Sequence, residues 1–185
     1  DAAGLQLFFE YYVGGDDTIA GCTDIDACNY NADATEDDGS CEYVEDCLGE
    51  CGGSAENCPD WGVDNPDWFG QYEFPATIAG SYVLYDGEPI AEEGDILAAF
   101  DDAGDLRGLA VQLTPSFGPY EGQILFEMQM SSNAAEDLLH FQYYDASVDS
   151  VLDISETYAF SSNEQLGDMI NPFDLNILTT VDLSI

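Results

Sequence analysis

Apolar and polar residues alternate from Ile124 to Met130, with Ile124, Phe126, Met128 and Met130 on one face and Leu125, Glu127 and Gln129 on the other. A period of two predicts a strand with one buried face. Similar runs occur at Tyr82 to Tyr85 before Asp86-Gly87, and at Asp95 to Phe100 before Asp101-Asp102-Ala103-Gly104. Others cover Leu106 to Leu113, Leu138 to Tyr144 and Thr157 to Phe160. Turn signals separate the runs at the spacing of a sandwich, and no stretch sustains a capped helical pattern. The expected class is all-β: an antiparallel Ig-like β-sandwich of two packed sheets over residues 59–185, with a barrel as the alternative closure.

The two ends carry the same period. In the segment 1–20 the side chains Leu5, Leu7, Phe9, Tyr11 and Val13 share a face, before Gly14-Gly15-Asp16-Asp17. At the other end Leu175, Ile177, Thr179, Val181, Leu183 and Ile185 share one, a run that would extend about 36 Å. Apolar strands at both termini invite aggregation unless paired. Either they complete the chain's own sandwich, or one of them adds to a neighbouring copy. The arm is the better candidate for exchange, since residues 21–58 separate it from the sandwich. Strand addition supplies main-chain hydrogen bonds and side-chain pockets. Repeated head to tail between identical subunits, it builds a filament.

Composition changes the picture between residues 21 and 58, where Cys22, Cys28, Cys41, Cys47, Cys51 and Cys58 all fall. So small and loop-rich a segment cannot hold itself by apolar burial, so three disulfides formed in an oxidising compartment are expected, with the pairing open. Zinc is the weaker reading, because no second tight cysteine pair or neighbouring histidine completes a site. Eleven acids lie in the same segment with no base among them. Hard oxygen ligands at close, irregular intervals suit calcium, which takes six to eight of them, more than the tight octahedron of magnesium. The candidate ligands are Asp24, Asp26, Asn31, Asp33, Asp37 and Asp38. The order of an EF-hand loop is missing, and a solvated acidic loop is the plain alternative.

Over all 185 residues, 39 acids face one base, for a formal net charge of −38. Such a surface repels phosphate backbones and anionic headgroups, which excludes nucleic-acid partners and leaves cations as natural counterions. The 45% apolar content still supports a core. No apolar run reaches the roughly 20 residues of a spanning helix, so membrane insertion is not expected. No signal-peptide pattern opens the chain, so Asp1 is expected to begin a processed chain or a fragment. Arg107, the sole base, is expected to pair with a carboxylate such as Asp95 or Asp105. His140 falls in an alternating run and reads as a sheet side chain. With one histidine and no nucleophile, phosphate-loop or metalloprotease motif, the chain is not expected to be an enzyme. Trp61, Trp68, Phe69 and Tyr72 cluster beside acids. They either pack a junction between modules or, through Trp61 and Trp68, stack on surface glycans.

The stretch GCTDIDACNYNADATEDDGSCEY at 21–43, followed by DCLGECGG at 46–53, resembles the cysteine-rich acidic repeats of large secreted modular proteins of marine and Bacteroidetes-type bacteria, which are similar to thrombospondin type 3 calcium repeats. The segments EEGDILAAFDDAGDLRGLA at 92–110, FQYYDA at 141–146 and NPF at 171–173 resemble the β-sandwich module that often follows them. The resemblance implies calcium as the ligand and an extracellular or cell-surface location. With the strand pattern of the termini, the expected function is a structural subunit of a surface filament stabilised by calcium and disulfides. A calcium-dependent carbohydrate-binding or adhesion module is the alternative.

Overall fold

A computed structural model describes residues 18–61 and 70–178. Leu5, Leu7, Phe9, Tyr11, Val13 and Trp68 lie outside the described residues, as does the terminal run from Thr179. The chain divides into two compact units, Asp1–Ser54 and Ala55–Ile185. Among the described residues eleven strands follow in order: β1 (Ala20–Gly21), β2 (Glu36–Asp37), β3 (Phe74–Tyr85), β4 (Glu88–Pro89), β5 (Ile96–Phe100), β6 (Leu106–Leu113), β7 (Leu125–Ser132), β8 (Leu138–Asp145), β9 (Ser150–Ala159), β10 (Gln165–Leu166) and β11 (Phe173–Asn176). The described residues hold no α-helix, and the all-β expectation stands.

Among its described residues the first unit has almost no core. Its buried apolar residues are Cys22 and Ala27, and its sheet is a two-residue parallel pairing of β1 with β2. Crosslinks replace the missing burial. Cys22 joins Cys41 and Cys28 joins Cys51, while Cys47 and Cys58 are also disulfide-bonded and no cysteine is free. Closing loops with separations of 19 and 23 residues restricts the unfolded chain by about 3 kcal/mol each in the chain-entropy account. Crosslinks of this kind persist in oxidising, non-cytoplasmic compartments.

The second unit is one curled, mainly antiparallel sheet in the order β10-β3-β7-β6-β5-β8-β9. β4 and β11 also pair with β3, and both β10 and β11 do so in parallel. The curl brings the two ends of the path together: Ile154 of β9 bridges Ile177, just beyond β11, and Leu178 N donates to Asp153 O at 2.7 Å. One core fills the inside. Phe126 of β7 meets Tyr143 of β8 edge to face at 6.1 Å, and Ile78, Leu97, Met130, Leu139 and Leu175 are fully buried around them. On β7 the alternation holds at Phe126, Met128 and Met130, which are inside, and at Glu127 and Gln129, which are exposed, but Leu125, expected on the outer face, is also fully buried.

Two strands are longer than the apolar runs predict. β3 begins at Phe74 instead of Tyr82, because Pro75 and Gly80 interrupt the pattern without ending the strand. Its register against β7 shifts between Ile78 and Ser81, and Gly80 marks the spot. A Cβ on Gly80 would stand 2.8 Å from the Asp168 carbonyl oxygen, so the loop beside β10 packs directly on bare backbone. β9 begins at Ser150 instead of Thr157, with Leu152 and Ile154 turned inward between exposed neighbours. The Asp86-Gly87 turn fits its signal: both residues have positive φ, 51° and 84°, as a tight hairpin between β3 and β4 requires.

Candidate functional site

The six acidic-loop candidates are all exposed, and four of them cap turns of their own backbone. Asp24 Oδ1 accepts from Asp26 N at 3.1 Å, Asn31 Oδ1 from Asp33 N at 3.0 Å, Asp37 Oδ1 from Gly39 N at 3.0 Å and Asp38 Oδ1 from Ser40 N at 2.9 Å. The second oxygen of Asp24 accepts from the Tyr43 hydroxyl at 2.8 Å. The Asp26 amide and the Tyr43 hydroxyl hold the Asp24 carboxyl below its ordinary range, and Ser40, by side chain and amide, does the same for Asp38. Asp26 and Asp33 contribute amides to these turns. Among the described residues no group of three or more His, Cys, Asp or Glu side chains gathers as a metal site. As placed, these side chains form a row of turns.

Arg107 on β6 pairs as expected but with other partners. Its Nη2 lies 2.5 Å from Asp101 Oδ2 and 3.4 Å from Asp137 Oδ2, its Nε donates to Asp101 Oδ2 at 3.2 Å, and its guanidinium stacks 4.0 Å over the Tyr72 ring. Burial pushes the Asp101 carboxyl up. The Arg107 bonds and the amides of Asp105 and Ala103 outweigh it, so the group sits below its ordinary range. Asp95 is engaged elsewhere. It is 5% exposed, takes the Tyr143 hydroxyl, and accepts from Glu92 N at 2.6 Å and Ala146 N at 2.8 Å. Asp105 contributes its amide to the Asp101 turn.

Residues 55–61 run onto the outer surface of the curled sheet through Asp149. Its carboxylate accepts from Glu56 N at 3.0 Å, Asn57 N at 3.1 Å, Asn57 Nδ2 at 2.8 Å and the Tyr144 hydroxyl at 2.7 Å. The Glu56 amide and the Tyr144 hydroxyl, with Asn57, hold this carboxyl down at about 2. That anchorage sets Trp61 edge to face against Phe100 at 5.5 Å.

Beside Trp61 lies an open cleft of about 1060 Å³, lined among others by Phe100, Asp102, His140, Gln142 and Asp153. The register explains its floor. Phe100 pairs His140, and Gln142 pairs Asp153, so these four side chains share the outer face while Leu139, Phe141 and Tyr143 fill the core. His140 Nε2 stands 2.6 Å from Asp102 Oδ1, and Gln142 Nε2 donates to Asp153 Oδ1 at 2.9 Å. Of these residues only Trp61 carries a ligand signal in the sequence. The others sit on separate strands, and only the cross-strand register unites them.

Comparison with protein-family models, with curated proteins and with solved structures finds no match to this chain.

Proposed function

We propose that the chain is a non-catalytic, extracellular structural protein: a subunit of a surface filament or appendage, joined to its neighbours by strand exchange and hardened by disulfides. The observation that carries this reading is the outer edge of β9. This ten-residue strand ends the hydrogen-bonded path. Among the described residues its outer backbone is met only by the Ile154–Ile177 bridge and the Leu178–Asp153 bond, beside a Glu156 carboxylate that accepts from Asn176 N at 2.6 Å. A strand edge so sparsely bonded is a template for another chain. The alternating segment Leu5–Val13 would extend about 30 Å, close to the length of β9. On this reading the curled sheet serves as the sandwich-like body of the subunit, with β3-β7-β6 and β5-β8-β9 as its facing walls.

Calcium belongs to the same proposal as a counterion of the acidic loops, whose carboxylates retain lone pairs beyond the turn bonds they accept. With a net charge of −38, copies associate only when cations screen them. Electron microscopy of the full chain and of a chain lacking residues 1–13, each with calcium and with chelator, tests this. The full chain forms regular fibres that chelator loosens, whereas the shortened chain stays a folded monomer by circular dichroism. Normal fibres from the shortened chain would refute exchange through the arm. Fibres indifferent to chelator would remove calcium from the reading.

A further inference from the structure

We propose that the cleft beside Trp61 is a binding site for a non-anionic, hydroxyl-rich oligosaccharide, a role that does not depend on filament assembly. Three features select this ligand class. The first is the aromatic wall: Trp61, braced edge to face by Phe100, stands half-buried at the cleft and offers ring surface to the C–H face of a sugar. The second is the polar floor. The His140–Asp102 and Gln142–Asp153 pairs are formed at the exposed surface of the sheet, and both carboxylates have more lone pairs than these bonds use. Such a floor is rich in acceptors and asks for a ligand that presents donors at close intervals, as sugar hydroxyls do. The third is charge. Asp60, Asp101, Asp102 and Asp153 all line the cleft and, among the described residues, no Lys or Arg does, so an anionic sugar is disfavoured. The volume, about 1060 Å³, is at the upper end for ligand clefts and suits a short run of sugar units.

Titration calorimetry of the full chain with cellohexaose, laminarihexaose and mannohexaose, with alginate as an anionic probe, tests the site. At least one neutral hexasaccharide binds. Trp61→Ala then weakens it by about tenfold, as the loss of one aromatic platform implies. Gln142→Ala weakens it measurably while leaving the thermal transition in place. Phe117→Ala, at a side chain 82% exposed and outside the cleft, leaves binding unchanged. Failure of all three neutral hexasaccharides overturns the proposal. So does binding that survives both Trp61→Ala and Gln142→Ala, or a preference for the alginate. Because none of these readouts involves fibres, their failure is distinct from failure of the filament reading.

Discussion

Replacing Arg107 with methionine removes the only Lys or Arg side chain in the protein while keeping most of its apolar stem. In the native fold the side chain is 12% exposed and that of Asp101 9%. The pair is therefore far from the surface limit, where ion pairs contribute about 0–1 kcal/mol. Breaking a fully buried pair from one side costs about 3–5 kcal/mol, because a charge stays behind without its partner. Asp101 would keep the amides of Ala103 and Asp105, at 2.9 and 2.8 Å, which lowers that figure. Loss of the stacking on Tyr72 adds back about 0.5–1 kcal/mol. The expected destabilisation is about 2–3 kcal/mol.

Urea unfolding followed by near-ultraviolet circular dichroism measures it, with equal slopes required for the comparison. Asp101→Asn alone has a similar cost, since it leaves the guanidinium with Asp137 as its remaining carboxylate. The double variant is less destabilised than the sum, by a coupling of about 2 kcal/mol. Salt stabilises every variant of so acidic a chain, so the difference between variants is the informative quantity, and it persists in 1 M NaCl. A single variant within about 0.5 kcal/mol of wild type, or additive singles, would refute the argument that burial gives this pair its strength.

Two other perturbations follow from local geometry. The Asp149 carboxyl is lowered from the ordinary 3.8 to about 2, so its contribution is complete above the unfolded value and is lost as pH falls through the folded one. Between about pH 4 and pH 2 the wild type therefore loses stability that Asp149→Asn never had. Acid unfolding curves that stay parallel would contradict the assignment. Gly80→Ala sets a Cβ 2.8 Å from Asp168 O and 2.9 Å from its carbon, both backbone atoms that cannot rotate away. The expected loss is about 1–3 kcal/mol. Gly70→Ala, which meets nothing within 4 Å, serves as the control in thermal unfolding.

Much of the sheet was legible because apolar-rich runs bounded by turn signals cover its central strands. β6 spans Leu106 to Leu113 as its pattern predicts, β8 runs one residue further than read, and β7 starts one residue later and ends two residues later. β3 and β9 were half hidden, for opposite reasons. β3 contains a proline and a glycine whose tolerance depends on a partner loop distant in sequence, and β9 carries Asp153 and Glu156 at positions where tertiary bonds to Gln142 and Asn176 replace apolar burial. The Arg107 partner was misplaced because Asp95 carries a structural duty that no local spacing reveals: it joins β8, through Tyr143, to the turns at Glu92 and Ala146.

The acidic loop shows why its chemistry is ambiguous at the level of sequence. An Asp or Asn that caps the amide two residues on satisfies the backbone of a loop with no sheet to pair it. Calcium loops also place oxygen side chains at such intervals. Here the turn use is realised at residues 24, 31, 37 and 38, each with one oxygen on an amide. A carboxylate that caps a turn still has a second oxygen, and Cys22–Cys41 keeps the two ends of the stretch together. An ion therefore need not build this loop in order to bind it. It would have to reorient several exposed carboxylates at modest cost, and the gain is largest where 39 acids face a single base. On the filament proposal, calcium would act less as a folding nucleus than as a charge valve, lowering the repulsion that subunits must overcome to meet.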